Sequence, residues 1–241
     1  MIELIDIHTH ILPGVDDGAE NKETAIRMLD AAYKDGTRGI ILTPHYKFDD
    51  KRYRIDKIRA AFDEFYDEYC DRYPNMNLLL GCEAYGEIEL PQKLDDGKVL
   101  TMADTRYVLV EYRPSVEYSH VERNLNDLIR YGYRPIIAHV ERYQCFRKSI
   151  DKLRETIYMG ALVQINAGGV IGERGFSTKW FLGKLLNQRL VHFVASDAHD
   201  EVHRPALLAS CAKYVENKYG SDYMSELFAK NALRLINNKP I

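Results

Sequence analysis

The stretch that decides the fold is Asp6-Ile7-His8-Thr9-His10-Ile11-Leu12-Pro13-Gly14-Val15-Asp16-Asp17-Gly18, near the start of the chain. It overlaps a short apolar run, Leu4–His8, which has the length and composition of a strand that is buried on both faces. Two histidines separated by one residue end that run, and an acidic pair follows in the next loop. The pattern predicts metal-ligand side chains at the carboxyl end of a strand.

Six further apolar runs of strand length follow, and segments with helical spacing lie between them. The predicted strands are Gly39–Thr43, Asn77–Cys82, Tyr107–Glu111, Pro135–His139, Leu162–Ile165 and Val191–Ala195. The predicted helices are Thr24–Tyr33 with a cap at Asn21 and an end at Gly36, a helix that buries Ile55, Ile58, Phe62, Phe65, Tyr66 and Tyr69, and helices near Pro205–Val215 and Asp222–Ile236. Alternating strands and helices favour an α/β barrel or a doubly wound sheet.

Polar residues at the strand ends choose between these two folds. Nine side chains of metal-ligand type lie at or just beyond the ends of six predicted strands: His8, His10, Asp17, His45, Glu83, Glu111, His139, Asp197 and His199. In a barrel the carboxyl ends of all strands meet at one mouth, whereas in an open sheet they spread along an edge. Any one of these residues could be structural, but their shared position predicts a TIM-like barrel. Residues 166–169 end the sixth strand without a clear ligand.

Composition restricts the class of protein. The 241 residues are 46% hydrophobic and show no linker or repeat, which predicts one domain over residues 1–241. A net charge of −3 gives no sign of nucleic-acid binding, and no apolar run is long enough to be embedded in a membrane. No signal peptide is visible, and the four scattered cysteines are typical of reduced thiols, so we expect a cytoplasmic protein.

The donor set predicts more than one metal ion. Five imidazoles and four carboxylates exceed the roughly four to six ligands that one ion takes, so two or three ions fit better. Nitrogen and oxygen donors without thiolate suit manganese, iron or zinc. Three divalent ions would leave the site positive and suited to a phosphate ester, which such ions can polarise. Arg142 and Arg204 lie just past ligand-bearing ends and could hold the phosphate, or form surface ion pairs.

Other phosphate chemistries lack their motifs. A cysteine phosphatase needs an arginine six positions after the cysteine, and none of the four cysteines has one. An Asp-x-Asp nucleophile motif and a P-loop are also absent from the sequence.

The chain resembles the PHP (polymerase and histidinol phosphatase) superfamily, and within it the bacterial capsule and exopolysaccharide tyrosine phosphatases of the CpsB/YwqE type. Segments in family order carry the resemblance: residues 6–18, Thr43-Pro44-His45, Gly81-Cys82-Glu83, Ile137-Ala138-His139-Val140-Glu141-Arg142-Tyr143 and Ala195-Ser196-Asp197-Ala198-His199.

The resemblance implies a distorted TIM-like (β/α)7 barrel with three divalent ions, manganese first and iron, zinc or magnesium as alternatives. It assigns His8, His10, Glu83 and Asp197 to one ion, Glu83, Glu111 and His139 to a second, and Asp17, His45 and His199 to a third. It makes Arg142 and Arg204 the phosphate-binding residues and a metal-bridging hydroxide the nucleophile. The implied substrate is a phosphotyrosine-bearing bacterial tyrosine kinase that controls capsular or exopolysaccharide synthesis.

Three alternatives stay open at this stage. A small-molecule phosphatase that acts on histidinol phosphate would share the superfamily, and aromatic residues near the mouth (Tyr46, Phe48, Tyr112, Tyr143) could flank a phenyl ring or belong to the core. An amidohydrolase also uses a His-x-His barrel, but the metal-bridging lysine of that class is missing at the strand ends. A metal-stabilised module could bind a kinase without turnover. We expect His120 and His192 to be structural or solvated and leave His203 unassigned.

Overall fold

The computed structural model describes residues 3–47 and 53–241, in which every paired strand runs parallel to its neighbour. The strands are Leu4–Thr9 (β1), Thr37–Leu42 (β2), His45–Tyr46 (β3), Asn77–Leu80 (β4), Glu83–Tyr85 (β5), Tyr107–Glu111 (β6), Arg134–Ile137 (β7), Leu162–Asn166 (β8) and Phe193–Ala195 (β9). The helices are Lys22–Lys34 (α1), Ile55–Tyr69 (α2), Leu90–Asp95 (α3), Tyr118–Arg130 (α4), Gln144–Lys148 (α5), Ile150–Tyr158 (α6), Ala167–Ile171 (α7), Phe176–Asn187 (α8), Leu208–Tyr219 (α9), Ser221–Ser225 (α10) and Asn231–Ile236 (α11), with a π-helical turn at Glu226–Lys230. Within these two described ranges, no helix has the length and apolar character needed to cross a membrane.

The nine strands amount to seven passes of the chain, because two predicted strands are each broken near the mouth. β3 continues β2 and β5 continues β4, and the Gly81 and Glu83 amides carry the hydrogen bonding across the breaks to the Leu42 and Pro44 carbonyls. A Cβ on Gly81 would lie 2.9 Å from the Met102 sulfur, so a larger residue would require Met102 or the strand to shift. Beyond the breaks, His45 on β3 lies directly opposite Glu83 on β5.

The last pass returns to the first, as a barrel requires. β8 pairs with β9, and beyond β9 a parallel bridge joins Ala198 to Thr9. The Asp197 amide donates to the His8 carbonyl, and the His10 amide donates to the Ala198 carbonyl, both at 2.9 Å. The (β/α)7 barrel expectation is therefore confirmed, and its seam lies beside the His-x-His motif.

Most predicted elements occur, with shifted ends. Asn21 caps α1 by accepting from the Thr24 amide at 2.9 Å, and Gly36 follows the helix with φ +93°. The prediction for Tyr66 was wrong, since its side chain is 41% exposed while Ile58 and Phe65 are buried. The helix predicted near Pro205–Val215 begins at Leu208 and runs to Tyr219, and the one predicted at Asp222–Ile236 contains the π-helical turn.

His192 is structural, as expected from the sequence. It lies just before β9, where its Nδ1 accepts a hydrogen bond from the Val163 amide at 3.1 Å. Burial lowers its pKa from 6.5 to about 4, so the ring is neutral in the folded protein. Because the unfolded chain takes up this proton more readily, His192 favours the folded state above pH 6.5, and that contribution is lost as the pH falls toward 4.

We expect the His192→Gln variant to lose less stability on acidification than the wild type. Between pH 7 and pH 5 the wild type should lose about 2 kcal/mol more of its free energy of unfolding than the variant. Urea denaturation of metal-free protein at both pH values measures this difference. Equal losses in the two proteins would contradict a buried neutral imidazole.

Candidate metal centre

The nine candidate ligands come together at the carboxyl ends of the strands. All of them are buried except Asp17, whose side chain is 67% exposed. β1, β3, β5, β6 and β7 or the residues next to them supply six, the loop after β1 supplies Asp17, and the loop after β9 supplies Asp197 and His199. Three close groups of donor atoms result: His8 with His10 and Asp197; His10 with Asp17, His45 and His199; and His45 with Glu83 and Glu111.

Glu83 lies at the centre of the cluster. Its Oε2 is 3.2 Å from His8 Nε2, 3.3 Å from His10 Nε2 and 3.0 Å from His45 Nδ1. Its Oε1 is 2.7 Å from His139 Nε2. Burial alone would raise the pKa of Glu83, but the charges of His8 and His139 outweigh it and hold the pKa well below its usual range. The carboxylate is therefore ionised and available as a bridging ligand.

His45 lies between two of the groups. Its Nδ1 is 3.0 Å from Glu83 and 3.1 Å from Glu111, and its Nε2 is 3.2 Å from Asp17. The sequence assignment placed His45 with Asp17 and His199 and placed His139 with Glu111. In the structure, His45 faces Glu111, and His139 approaches the group only through Glu83.

Three donor atoms at the middle of the cluster have no hydrogen-bond partner within the described residues. They are His45 Nδ1, Glu83 Oε2 and Glu111 Oε1, and all three are buried. The His45 nitrogen contacts the two oxygens at 3.0 Å and 3.1 Å as ion pairs but without hydrogen-bond geometry. A buried polar atom that lacks a hydrogen bond costs about 1–3 kcal/mol, so a cation bound by all three atoms would stabilise the group. Imidazole and carboxylate donors at this point fit divalent cations.

The other histidines are oriented from behind. Nδ1 of His8 donates to Gln164 Oε1 at 3.2 Å, and Nδ1 of His199 lies 3.0 Å from the Asp197 carbonyl oxygen. Nδ1 of His10 lies 2.7 Å from Asp16 Oδ2. Each contact leaves Nε2 directed at the cluster, which is how metal-ligating histidines are usually held. Burial and the charge of His10 lower the pKa of His199 to about 3, so that ring is neutral.

Asp16 was missed as a functional residue, although it stands in the deciding stretch. Its side chain is fully buried, and it also accepts from the amides of His45 at 3.1 Å and Gly18 at 2.9 Å. A Cβ on Gly18 would overlap the carbonyl oxygen of His10, so only glycine fits this turn. In the Asp-Asp-Gly sequence, Asp16 orients His10, Asp17 is an exposed candidate ligand, and Gly18 allows the backbone to pass close to His10.

The sixth pass of the barrel, which has no predicted ligand, supplies orienting amides instead. Gln164 Oε1 accepts from the His139 amide at 2.7 Å as well as from His8, and its Nε2 donates to Asn166 at 2.9 Å. Asn166 in turn donates to Asp197 Oδ2 at 2.7 Å. Two side chains of β8 therefore position three candidate ligands from other elements.

Asp197 connects the cluster to both arginines. Its Oδ1 faces His8, His10 and His199 at 3.5–3.6 Å. Its Oδ2 accepts from Arg142 and Arg204 at 2.7 Å each. Burial would raise its pKa, but the surrounding cations hold the pKa well below its usual range.

Two candidate ligands adopt backbone conformations that most residues avoid. His139 has φ +33° and Asp197 has φ +54°, both in the left-handed region. Such strain persists only where the surrounding contacts fix it, and it concentrates at functional sites. Here the left-handed backbone directs the side chains of His139, after β7, and Asp197, after β9, into the mouth of the barrel.

Two of the aromatic residues near the mouth and His120 have their own packing and hydrogen-bond partners. Tyr112 and Tyr143 are buried in the core, where the Tyr112 hydroxyl donates to Asn124 Oδ1 at 2.7 Å and the Tyr143 hydroxyl accepts from the Tyr112 amide at 3.1 Å. The Tyr143 hydroxyl also lies 3.2 Å from Nδ1 of His139, so it helps to orient that candidate ligand. Tyr46 is half-buried, and Phe48 lies outside the described residues. His120 contacts the Gly86 carbonyl at 2.7 Å, as expected of a structural histidine.

Cys82, beside Glu83, is no nucleophile. Its thiol donates to the Leu100 carbonyl at 3.0 Å, and burial raises its pKa to about 12.

Comparison with known proteins places these residues in a family context. The family model for capsular polysaccharide synthesis, CpsB/CapC, matches residues 4–237. Tyrosine-protein phosphatase YwqE of Bacillus subtilis is 34% identical over 99% of this chain and 93% of its own, and tyrosine-protein phosphatase CpsB of Streptococcus pneumoniae is 32% identical over 97% and 98%.

Solved structures agree with the sequence comparison. A structure from work on YwqE and CpsB, described there as unique metal-dependent tyrosine phosphatases, matches with a TM-score of 0.92 and 33% identity, covering 99% of this chain and 96% of that one. Histidinol phosphate phosphatase of Lactococcus lactis, solved with zinc, histidinol and phosphate, matches at TM-score 0.59 and 14% identity over 91% and 95% of the two chains, which shows the shared fold alone.

We expect Gln164→Leu to weaken metal binding, because it leaves the His8 ring and the His139 amide without their acceptor. Loss of an orienting partner of this kind costs about 10- to 100-fold in metal affinity or activity. Competition with a chelator measures the affinity, and Gln188→Leu at the exposed end of α8 is the matched control. Wild-type affinity in Gln164→Leu would show that β8 does not position the ligands.

Proposed function

The chain belongs to the CpsB/CapC family of capsular polysaccharide synthesis, and we propose that it removes phosphate from phosphotyrosine in a protein substrate at the nine-residue cluster. It is a metal-dependent phosphoric monoester hydrolase of the tyrosine phosphatase type. The observation that carries the assignment of the site is the meeting of three buried donor atoms that lack hydrogen bonds, in a cluster whose Asp197 also binds two arginines.

We assign the nine side chains to three divalent cations, with manganese as the first expectation and iron, zinc or magnesium as alternatives. His8, His10, Glu83 and Asp197 would hold one ion. Glu83, Glu111 and His139 would hold a second ion. Asp17, His45 and His199 would hold a third. His45 also directs Nδ1 toward Glu83 and Glu111 of the second ion site, while its Nε2 faces Asp17 of the third. When bound, such ions polarise phosphate oxygens and generate hydroxide from water.

Arg142 and Arg204 bind the phosphate in this proposal. Their guanidinium groups converge on one oxygen of Asp197, and the side chain of Arg142 remains 38% exposed at the mouth. Planar guanidinium groups match phosphate oxygens in pairs, so a phosphate dianion can take up the free donors of both. Asp197 holds the two arginines at the edge of the metal centre while its other oxygen stays with the histidines.

We also propose that the substrate is a bacterial tyrosine kinase controlling capsular or exopolysaccharide synthesis. The family description and the printed names of the relatives support this assignment. A cytoplasmic location is part of the same proposal and is supported by the free thiols of Cys82, Cys145 and Cys211.

Replacing His139 should abolish activity while the fold is kept. His139→Ala removes an imidazole 2.7 Å from the central carboxylate, so we expect near-complete loss of phosphotyrosine hydrolysis with an unchanged circular dichroism spectrum. Because residue 139 has φ +33°, His139→Asn is the second variant, since asparagine tolerates this conformation better than alanine. Full activity in a folded variant would remove His139 from the mechanism, and full activity of wild-type protein after chelation would remove the metals.

The substrate assignment is tested by comparing kcat/KM for a phosphotyrosine peptide and for histidinol phosphate with the same metal-loaded preparation. We expect a clear preference for the peptide, because Asp17 and Arg142 are partly exposed and leave the centre open to a large substrate. Equal or reversed preference would support a small-molecule phosphatase. If neither substrate is hydrolysed, the alternative of a module that binds a kinase without turnover would be favoured.

A further inference from the structure

A row of basic and aromatic side chains begins in the loop before α8 and runs along the outer side of that helix. Arg174, Phe176, Trp180 and Lys184 form this row, which we call the rim strip. Phe176 is 83% exposed and Trp180 is 57% exposed, one helical turn apart on the same face. Large apolar side chains grouped in this way on a surface mark interaction sites.

A cavity of about 230 Å³ connects the strip to the proposed phosphate site. Its lining includes Asn166 and Arg204, which both bond to Asp197 Oδ2 at 2.7 Å, and also Arg174, His203 and Val202. A group that occupies this cavity therefore contacts both Arg204 and Arg174, and Arg174 lies two residues before Phe176.

The charges along this path favour an acidic ligand. In the described part of the chain, Arg174 makes no ion pair or side-chain hydrogen bond, and Arg204 Nε is buried without a partner. Glu173 is the one carboxylate that lines the cavity among the described residues. α8 itself carries two lysines and no acidic residue.

The strip is held in a fixed position. The opposite face of α8 buries Phe181, Leu182 and Leu185 in the core, and Arg147 donates to Ser177 at 2.8 Å near the start of the helix. Lys184 Nζ lies 3.5 Å from the centroid of the Trp180 ring, a cation–π contact that holds the indole against the surface. The strip is thus preorganised for a partner.

We propose that the rim strip binds the stretch of substrate polypeptide next to the phosphotyrosine, and that this stretch carries a carboxylate for Arg174 followed by apolar side chains for Phe176 and Trp180. Phe176 and Lys184 are about 12 Å apart along the helix axis, the span of roughly four extended residues. The inference rests on the proposed function, since it requires the phosphotyrosine to occupy the metal centre.

The charge preference is tested with two phosphotyrosine peptides that differ only in flanking residues, two glutamates in one and two lysines in the other. We expect the wild type to favour the glutamate peptide and Arg174→Glu to lose about tenfold in kcat/KM on it while gaining on the lysine peptide, as reversal of a rim charge does. Activity on p-nitrophenyl phosphate should stay unchanged. Arg130→Glu, whose side chain is 81% exposed at the end of α4, is the matched control and should alter none of these rates.

The apolar part of the strip has its own readout, because Trp180 is the only tryptophan in the sequence. A phosphonate analogue of the glutamate peptide should shift the Trp180 emission to shorter wavelength, and Phe176→Ser should weaken the binding. Tyr158→Ser removes an aromatic side chain that is 94% exposed at the end of α6 and is the control.

Outcomes separate this inference from the proposed function. If Arg174→Glu matches Arg130→Glu on both peptides, or if the analogue binds without changing the emission, the strip is not a substrate site although p-nitrophenyl phosphate is still hydrolysed. If anionic vesicles or a second copy of the chain shift the emission and the peptide analogue does not, the strip has another occupant and the inference fails. Absence of all phosphatase activity in metal-loaded wild type would instead end the proposed function.

Discussion

The structure depends on the complete burial of one carboxylate, that of Glu83, among imidazole rings. Four histidines lie within 3.3 Å of its two oxygens: His8, His10, His45 and His139. An uncompensated carboxylate at this depth would cost several kcal/mol, so the surrounding strands must bring nitrogen donors to it. The breaks that create β3 and β5 meet this demand by setting His45 directly opposite Glu83. The geometry that stabilises the buried charge also leaves donor atoms free for cations.

The two carboxylate oxygens of Asp197 contact different groups. One oxygen faces three histidines, and the other accepts from two arginines and from Asn166. A left-handed backbone at the end of β9 is what allows the carboxylate to lie between them. The candidate metal ligands and the proposed phosphate-binding arginines are therefore adjacent and share Asp197, an arrangement that suits the proposed hydrolysis of a phosphate ester.

β8 links the interior of the centre to the surface. Its Gln164 and Asn166 orient candidate ligands, and the chain then passes through α7 into α8, which carries most of the rim strip. A substitution in β8 could therefore disturb the metal ligands and also move the surface beside them. The polar side chains of the sixth strand, Gln164 and Asn166, form hydrogen bonds with candidate ligands on other elements.

The sequence by itself determined the order of strands, the barrel and the identity of the nine candidate ligands, because these depend on local apolar runs and on polar residues at their ends. It did not reveal the roles of Asp16, Gln164 and Asn166, since an amide or a second aspartate has no distinctive local pattern. Their roles arise from contacts between distant positions: His8 and Gln164, for example, are 156 residues apart. The tertiary structure also decided that His45 faces Glu111 and that one side of α8 is exposed, because sequence periodicity marks a helix face as apolar without showing what, if anything, covers it.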